Sequence, residues 1–191
     1  MSTTKSMNLG ADAPSFTLEN MNPKFGGGYV SLADCAEAPG LLVAFICNHC
    51  PYVVQIKDSL ASFAEFYADN GLAVIAINAN DANAYPADSP ENMRLDAEKH
   101  NYTFPYLYDT DQHVAMAYQA QCTPDLFLFN KERKLVYRGQ YDNARPGNDV
   151  SVSGDDLSAA TDALLTGKPV SEDQKPSVGC SIKWKPDNQP K

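Results

Sequence analysis

Apolar residues in this chain fall into short blocks that switch between two periods. Residues 41–46, LLVAFI, are continuously apolar, the pattern of a strand covered on both faces. Then Val53, Ile56, Leu60, Phe63 and Tyr67 recur at helical spacing, predicting an amphipathic helix from about residue 50 that stops near Gly71. Residues 72–77, LAVIAI, form a second buried strand. Strand, helix and strand in this order make a βαβ unit, so the two strands are parallel and the crossover right-handed.

The pattern changes on either side of that unit. Residues 15–18 and 29–32 are short β-like stretches joined through Gly26, Gly27 and Gly28, which predicts a hairpin. No Gly-Lys-Ser/Thr follows these glycines, so they read as turn residues and not as a phosphate cradle. After a polar loop, Ser89 fits a helix cap with Pro90 at the first helical position, opening a helix toward His100. A short strand at 105–108 and a helix around 114–120 are expected next. Strands 126–129 and 135–138 flank the polar turn Lys131-Glu132-Arg133 and form an antiparallel hairpin. A final helix spans 155–165, and the remaining tail is Pro-rich and aperiodic. The sum is a three-layer α/β domain with a mixed sheet and helices on both faces. It divides into an extension with a hairpin (1–40), a core (41–167) and a tail (168–191).

Composition narrows the function. A chain of 191 residues with 43% apolar content suits one domain. No run reaches the roughly eighteen apolar residues of a membrane span, and the N-terminal stretch lacks the apolar centre of a signal peptide. The expected location is the cytoplasm. A formal charge of −9 argues against nucleic acid and anionic membranes as partners. The odd set Cys35, Cys47, Cys50, Cys122 and Cys180 argues against a structural disulfide framework.

Chemistry concentrates in CNHC, residues 47–50. Cys47 is expected at the end of a buried strand, capping the next helix, where unpaired N–H groups favour a thiolate. The sequence therefore predicts that Cys47, the more exposed sulfur, attacks a disulfide. Cys50, one turn inward, then resolves the mixed disulfide. His49 is expected to add positive charge beside the Cys47 thiolate, which points to an oxidising or isomerising couple. Zinc would need four ligands, and only one such cysteine pair exists, although Cys122 would supply a third thiol.

The stretch QCTPDLFLF, residues 121–129, places Thr123-Pro124 just before an apolar strand. A CxxC on a strand-to-helix turn followed by Thr-Pro before a hairpin resembles the thioredoxin fold. The segments FICNHCPYV, AINANDANAYPADSPENM, QCTPDLFLF and GCSIKWK further resemble peroxiredoxin-like (AhpC/TSA-type, redoxin) members of the thioredoxin family. That resemblance implies a thioredoxin-like sandwich and a redox-active Cys47/Cys50 dithiol. It also implies a cis Thr123–Pro124 bond that sets residue 123 opposite the dithiol, where it pairs with a substrate strand. The implied activity is thiol–disulfide exchange with protein or small-molecule disulfides, supplied by an external dithiol system, with no metal or organic cofactor.

Departures from the family bear on the alternative, a peroxidase with Cys47 as its peroxide-reducing cysteine. The positions of the peroxidase proline, threonine and arginine carry Gly40, Ala44 and Pro124, and the thioredoxin buried aspartate is replaced by Leu41. Disulfide exchange is therefore favoured over peroxide reduction. From another class, a non-catalytic redox-sensing or zinc-binding module remains. Cys122 and Cys180 are the candidate additional redox thiols, with packing as the plainer reading for both; Cys180 and Trp184 would anchor the tail. Cys35, His100 and His113 are assigned no chemistry, and Asn80 and Asp81 border the site without a role.

Overall fold

The protein was analysed as a computed structural model that describes residues 6–189. Its centre is a seven-stranded sheet built from β1 (Thr17–Asn20), β2 (Tyr29–Ser31), β3 (Gly40–Phe45), β4 (Leu72–Asn78), β5 (Tyr106–Tyr108), β7 (Asp125–Phe129) and β8 (Leu135–Gly139). These lie in the order β2-β1-β5-β4-β3-β7-β8. Strands β3 and β4 pair in parallel, as the βαβ reading requires, while β7 joins β3 antiparallel. The sheet is mixed. The N-terminal hairpin belongs to it, because β1 pairs with β5.

Alternation along β3 explains the two cores. Leu42 and Ala44 face one side, where α1 (Pro51–Ala68) presents Val53, Ile56 and Leu60. Leu41, Val43 and Phe45 face the other, among Tyr118, Phe127 and Phe129. The Tyr118 and Phe127 rings meet edge to face with centroids 5.6 Å apart. Every residue of β3 is buried, which is why its sequence shows no polar alternation.

Helix α2 (Pro90–Lys99) begins as its cap predicts, with the Ser89 hydroxyl accepting from the Asn92 N–H at 3.3 Å. Helix α3 (His113–Ala117) is shorter than expected, since Gln119 takes a left-handed φ of 53°. Helix α4 (Asp155–Leu165) has the expected bounds. The tail corrects the sequence reading most. It is not aperiodic coil throughout: β9 (Cys180–Ser181) pairs antiparallel with β6 (Cys122–Thr123) as a separate two-stranded sheet. Two residues per strand leave no periodicity for a sequence to display. Among the described residues no helix is long and apolar enough to cross a membrane.

Candidate functional site

Residues 46–50 leave β3 and enter α1 at the carboxyl end of the parallel strands, where open α/β sheets place their sites. The helix cap is Cys50, with Pro51 as the first helical residue; Cys47 sits in the preceding loop. That corrects the expectation that Cys47 caps the helix. Proline lacks the N–H that a first-turn position leaves unpaired anyway, so the helix starts at Pro51 and the cap falls on the second cysteine. A second correction concerns exposure: Cys47 is 0% and Cys50 1% accessible, so Cys47 is not the open sulfur.

Both sulfurs are buried, and both meet Thr123. Cys47 Sγ lies 3.3 Å from Thr123 Oγ1, and Cys50 Sγ lies 3.2 Å from the Thr123 carbonyl oxygen. The Thr123–Pro124 peptide bond is cis, and residue 123 stands opposite the dithiol. Two neighbouring thiols favour the ionised form of Cys50, that of Cys47 first and that of Cys180 after it. They draw the Cys50 thiol down from 9.0 to about 4, against the opposing effect of burial. The Cys50 thiol also donates to the Thr123 carbonyl, which favours a proton there. The reduced pair thus ionises as a unit, with the Cys50 thiol lowered and the Cys47 thiol raised. Cys47 is pushed well above the ordinary thiol range, first by the neighbouring Cys50 thiol, then by burial and by the negative charge of Asp88.

His49 does not stand free beside a thiolate as the sequence suggested. Its Nδ1 lies 2.7 Å from Asp88 Oδ2, and its ring stacks on Tyr85 with an interplanar angle of 2°. A positive charge on His49 is thus matched by a carboxylate instead of facing Cys47 alone. Asp88 was missed by the sequence reading, although it lies in a quoted segment. It is fully buried and accepts from the Asn48 N–H at 2.7 Å and the Asn80 amide at 2.8 Å. Tyr106 donates to the Asn48 side chain at 2.8 Å, and Lys57 donates to the Asn48 carbonyl at 2.8 Å. The two residues between the cysteines are therefore held from three directions.

The donor atoms of Cys47, His49 and Asp88 lie within 4.8 Å of one another, close enough to ask whether they suit a metal. Asp88 Oδ2 already accepts from Asn80 and contacts His49 at hydrogen-bonding distance. A metal there would have to displace the Asn80 hydrogen bond and the His49 contact, and the three side chains offer one ligand atom each, short of the four a closed zinc site takes.

The remaining thiols divide. Cys122 alternates away from Thr123 along β6, lies 3.5 Å from the Pro124 carbonyl, and is pushed up to about 12, mainly by burial. Cys35 ends a short 3-10 turn, buried in the opposite core. Cys180 is brought to the dithiol: it pairs with Thr123, whose carbonyl meets Cys50 Sγ, and packs against the core holding Cys47 and Cys50. Burial pushes its thiol up to about 11, helped by the Cys50 charge. Leu41, at the thioredoxin aspartate position, is fully buried on the far face. Asn80 and Asp81 do border the site, where they bind the tail backbone at Lys183.

The AhpC/TSA family profile matches residues 9–138, most of the chain. The chain belongs to the AhpC/TSA family. It is similar to a hypothetical protein from Sinorhizobium meliloti 1021, at 51% identity, with a TM-score of 0.91 and coverage of 95% of this chain and 97% of that one. An uncharacterized conserved protein from Geobacillus kaustophilus is also 51% identical, with a TM-score of 0.89 over 94% of this chain and 93% of that one. The thiol-disulfide oxidoreductase ResA of Bacillus subtilis is 26% identical over 132 residues, 69% of this chain and 67% of that protein. At 16% identity, the peroxidoxin BcpB of Mycobacterium tuberculosis shares the fold, with a TM-score of 0.61 over 84% of this chain and 97% of that one. This AhpC/TSA member thus has the thioredoxin-like sandwich that its sequence implied.

Proposed function

We propose that this protein is a thiol–disulfide oxidoreductase working through Cys47 and Cys50. One observation carries the reading: two buried thiols at a helix start, with Thr123 of the cis Thr123–Pro124 bond in contact with both sulfurs. The similarity to ResA supports it.

In this reading Cys50 attacks first, reversing the order expected from the sequence. Its thiolate displaces one sulfur of a substrate disulfide and forms a mixed disulfide. The Cys50 charge then disappears, and with it the largest effect holding the proton on Cys47. Cys47 passes that proton toward the adjoining His49–Asp88 pair and attacks Cys50 Sγ, releasing the reduced substrate. Thr123 and Pro124 orient the partner. An external dithiol returns the Cys47–Cys50 disulfide to the reduced state. The odd cysteine count supports a reducing, cytoplasmic setting.

Monothiol variants test this with a model protein disulfide. With Cys180 also replaced by serine, Cys47→Ser should accumulate a mixed disulfide on Cys50, whereas Cys50→Ser should trap little. Trapping only in Cys50→Ser would restore Cys47 as the nucleophile, and trapping in neither would reject the dithiol mechanism. Arg133, Arg138 and Arg145 are engaged with carbonyl or side-chain oxygens elsewhere, which supports disulfide exchange over peroxide reduction. Peroxide should oxidise the dithiol more slowly than about 10⁴ M⁻¹s⁻¹, the lower range of efficient enzymes.

A further inference from the structure

A substrate strand docking beside the dithiol would pair with the backbone of residue 123. In this structure the protein's own tail takes that place. β9 pairs Cys180 with Thr123 and Ser181 with Cys122. The placement is anchored on both sides. Ahead of β9, the Gln140 N–H donates to the Lys175 carbonyl at 2.9 Å and Ser177 Oγ to the Gly139 carbonyl at 2.8 Å. Behind it, the Asp81 N–H donates to the Lys183 carbonyl at 2.9 Å, and the Lys183 N–H to Asn80 Oδ1 at 2.8 Å. Ile182 is buried, which fixes the face that β9 presents.

The residue this strand sets against Thr123, whose carbonyl lies 3.2 Å from Cys50 Sγ, is a cysteine packed on the dithiol core, and it stays partly accessible while both dithiol sulfurs are closed off. We propose that Cys180 is a third redox thiol, held by the tail in the place of a substrate sulfur and exchanging disulfide with Cys50. The proposal rests on the oxidoreductase reading and adds a step to it.

The step balances without any outside oxidant. Once Cys47 and Cys50 are joined, the Cys180 thiolate attacks Cys50 Sγ. The Cys50–Cys180 bond forms as the Cys47–Cys50 bond breaks, and the electron pair leaves on Cys47, which takes the proton that Cys180 gave up. One disulfide replaces another. Burial is the first obstacle to ionising Cys180, and the second, the Cys50 thiolate, is absent from the oxidised pair. The oxidising equivalent thereby moves from a covered sulfur to one that an external dithiol can reach.

Disulfide mapping tests this on the full-length protein. Wild type is oxidised with diamide or a model protein disulfide, quenched in acid, alkylated and digested without reduction. Peptides joining Cys50 to Cys180 are expected beside those joining Cys47 to Cys50, on monomers that have lost two hydrogens. Cys47→Ser should convert the population to the Cys50–Cys180 form, and adding Cys180→Ser should abolish it. If Cys47 and Cys50 join while Cys180 stays alkylatable in every quenched sample, the proposal is overturned and the oxidoreductase reading stands. If neither disulfide forms, both fall.

Discussion

A β-carbon placed on Gly179 would lie 2.1 Å from the carbonyl oxygen of Thr123, so only glycine lets β9 reach the backbone beside the dithiol. Backbone cannot yield as a flexible side chain can. Gly179→Ala should therefore undock β9 locally while leaving the main sheet intact. Labelling of Cys47 and Cys50 by N-ethylmaleimide should rise at least about tenfold, equivalent to about 1.4 kcal/mol on the docking equilibrium. Unchanged labelling with an unchanged melting temperature would show that something other than the tail covers the sulfurs.

The charge distribution within the dithiol predicts a pH dependence. Cys50 is drawn down to about 4 in the fold from an ordinary value of 9.0, so unfolding takes up a proton between those values. Its contribution to stability is complete above the unfolded value, shrinks as pH falls, and is lost below about 4. Cys47 has the opposite sign: its raised value leaves its contribution complete below 9.0 and lost only at higher pH. For reduced protein, the urea-unfolding difference between wild type and Cys50→Ser should grow from about pH 5 to about pH 8. Thiolate absorbance at 240 nm should persist through neutrality and vanish in Cys50→Ser. A pair that first ionises near the ordinary thiol value would remove the basis for Cys50 as nucleophile.

The sheet was legible because its strands are either wholly apolar, as in β3, or bounded by strong turn residues. The CNHC stretch was legible because strand and helix periods meet there. What escaped notice depends on three-dimensional convergence. Asp88 looks like one acid among several in a polar loop, yet the fold buries it against Asn48, Asn80 and His49. The cap position was misjudged because the end of the strand was taken as the start of the helix, whereas Pro51 starts the first turn and makes its predecessor the cap. Cys180 and Thr123 are far apart in sequence, and a two-residue strand announces no partner.

Asp88 should prove structural as well as chemical. Its two carboxylate oxygens receive the Asn48 N–H and the Asn80 amide, donors that lie out of water. Asp88→Asn keeps the shape but turns one acceptor into a donor facing another donor. A loss of about 1–3 kcal/mol is expected in urea unfolding. The same variant removes the negative charge that helps hold the proton on Cys47, so the Cys47 thiol should titrate at lower pH. A stability loss without any change in Cys47 titration would limit Asp88 to holding the loop.

Lys57 links the helix to the same loop from below. Its side chain is 3% exposed, and its ammonium donates to Asp96 Oδ1 at 2.6 Å and to the Asn48 carbonyl at 2.8 Å. A buried pair of this kind adds little net stability compared with apolar residues, but breaking it strands a charge away from water. Asp96→Ala should therefore cost about 3–5 kcal/mol, whereas Lys57→Met with Asp96→Leu should recover most of that loss. The double variant also frees the Asn48 carbonyl between the two cysteines. Its disulfide exchange should slow even where stability returns, and wild-type exchange rates in the double variant would show that Lys57 serves the fold alone.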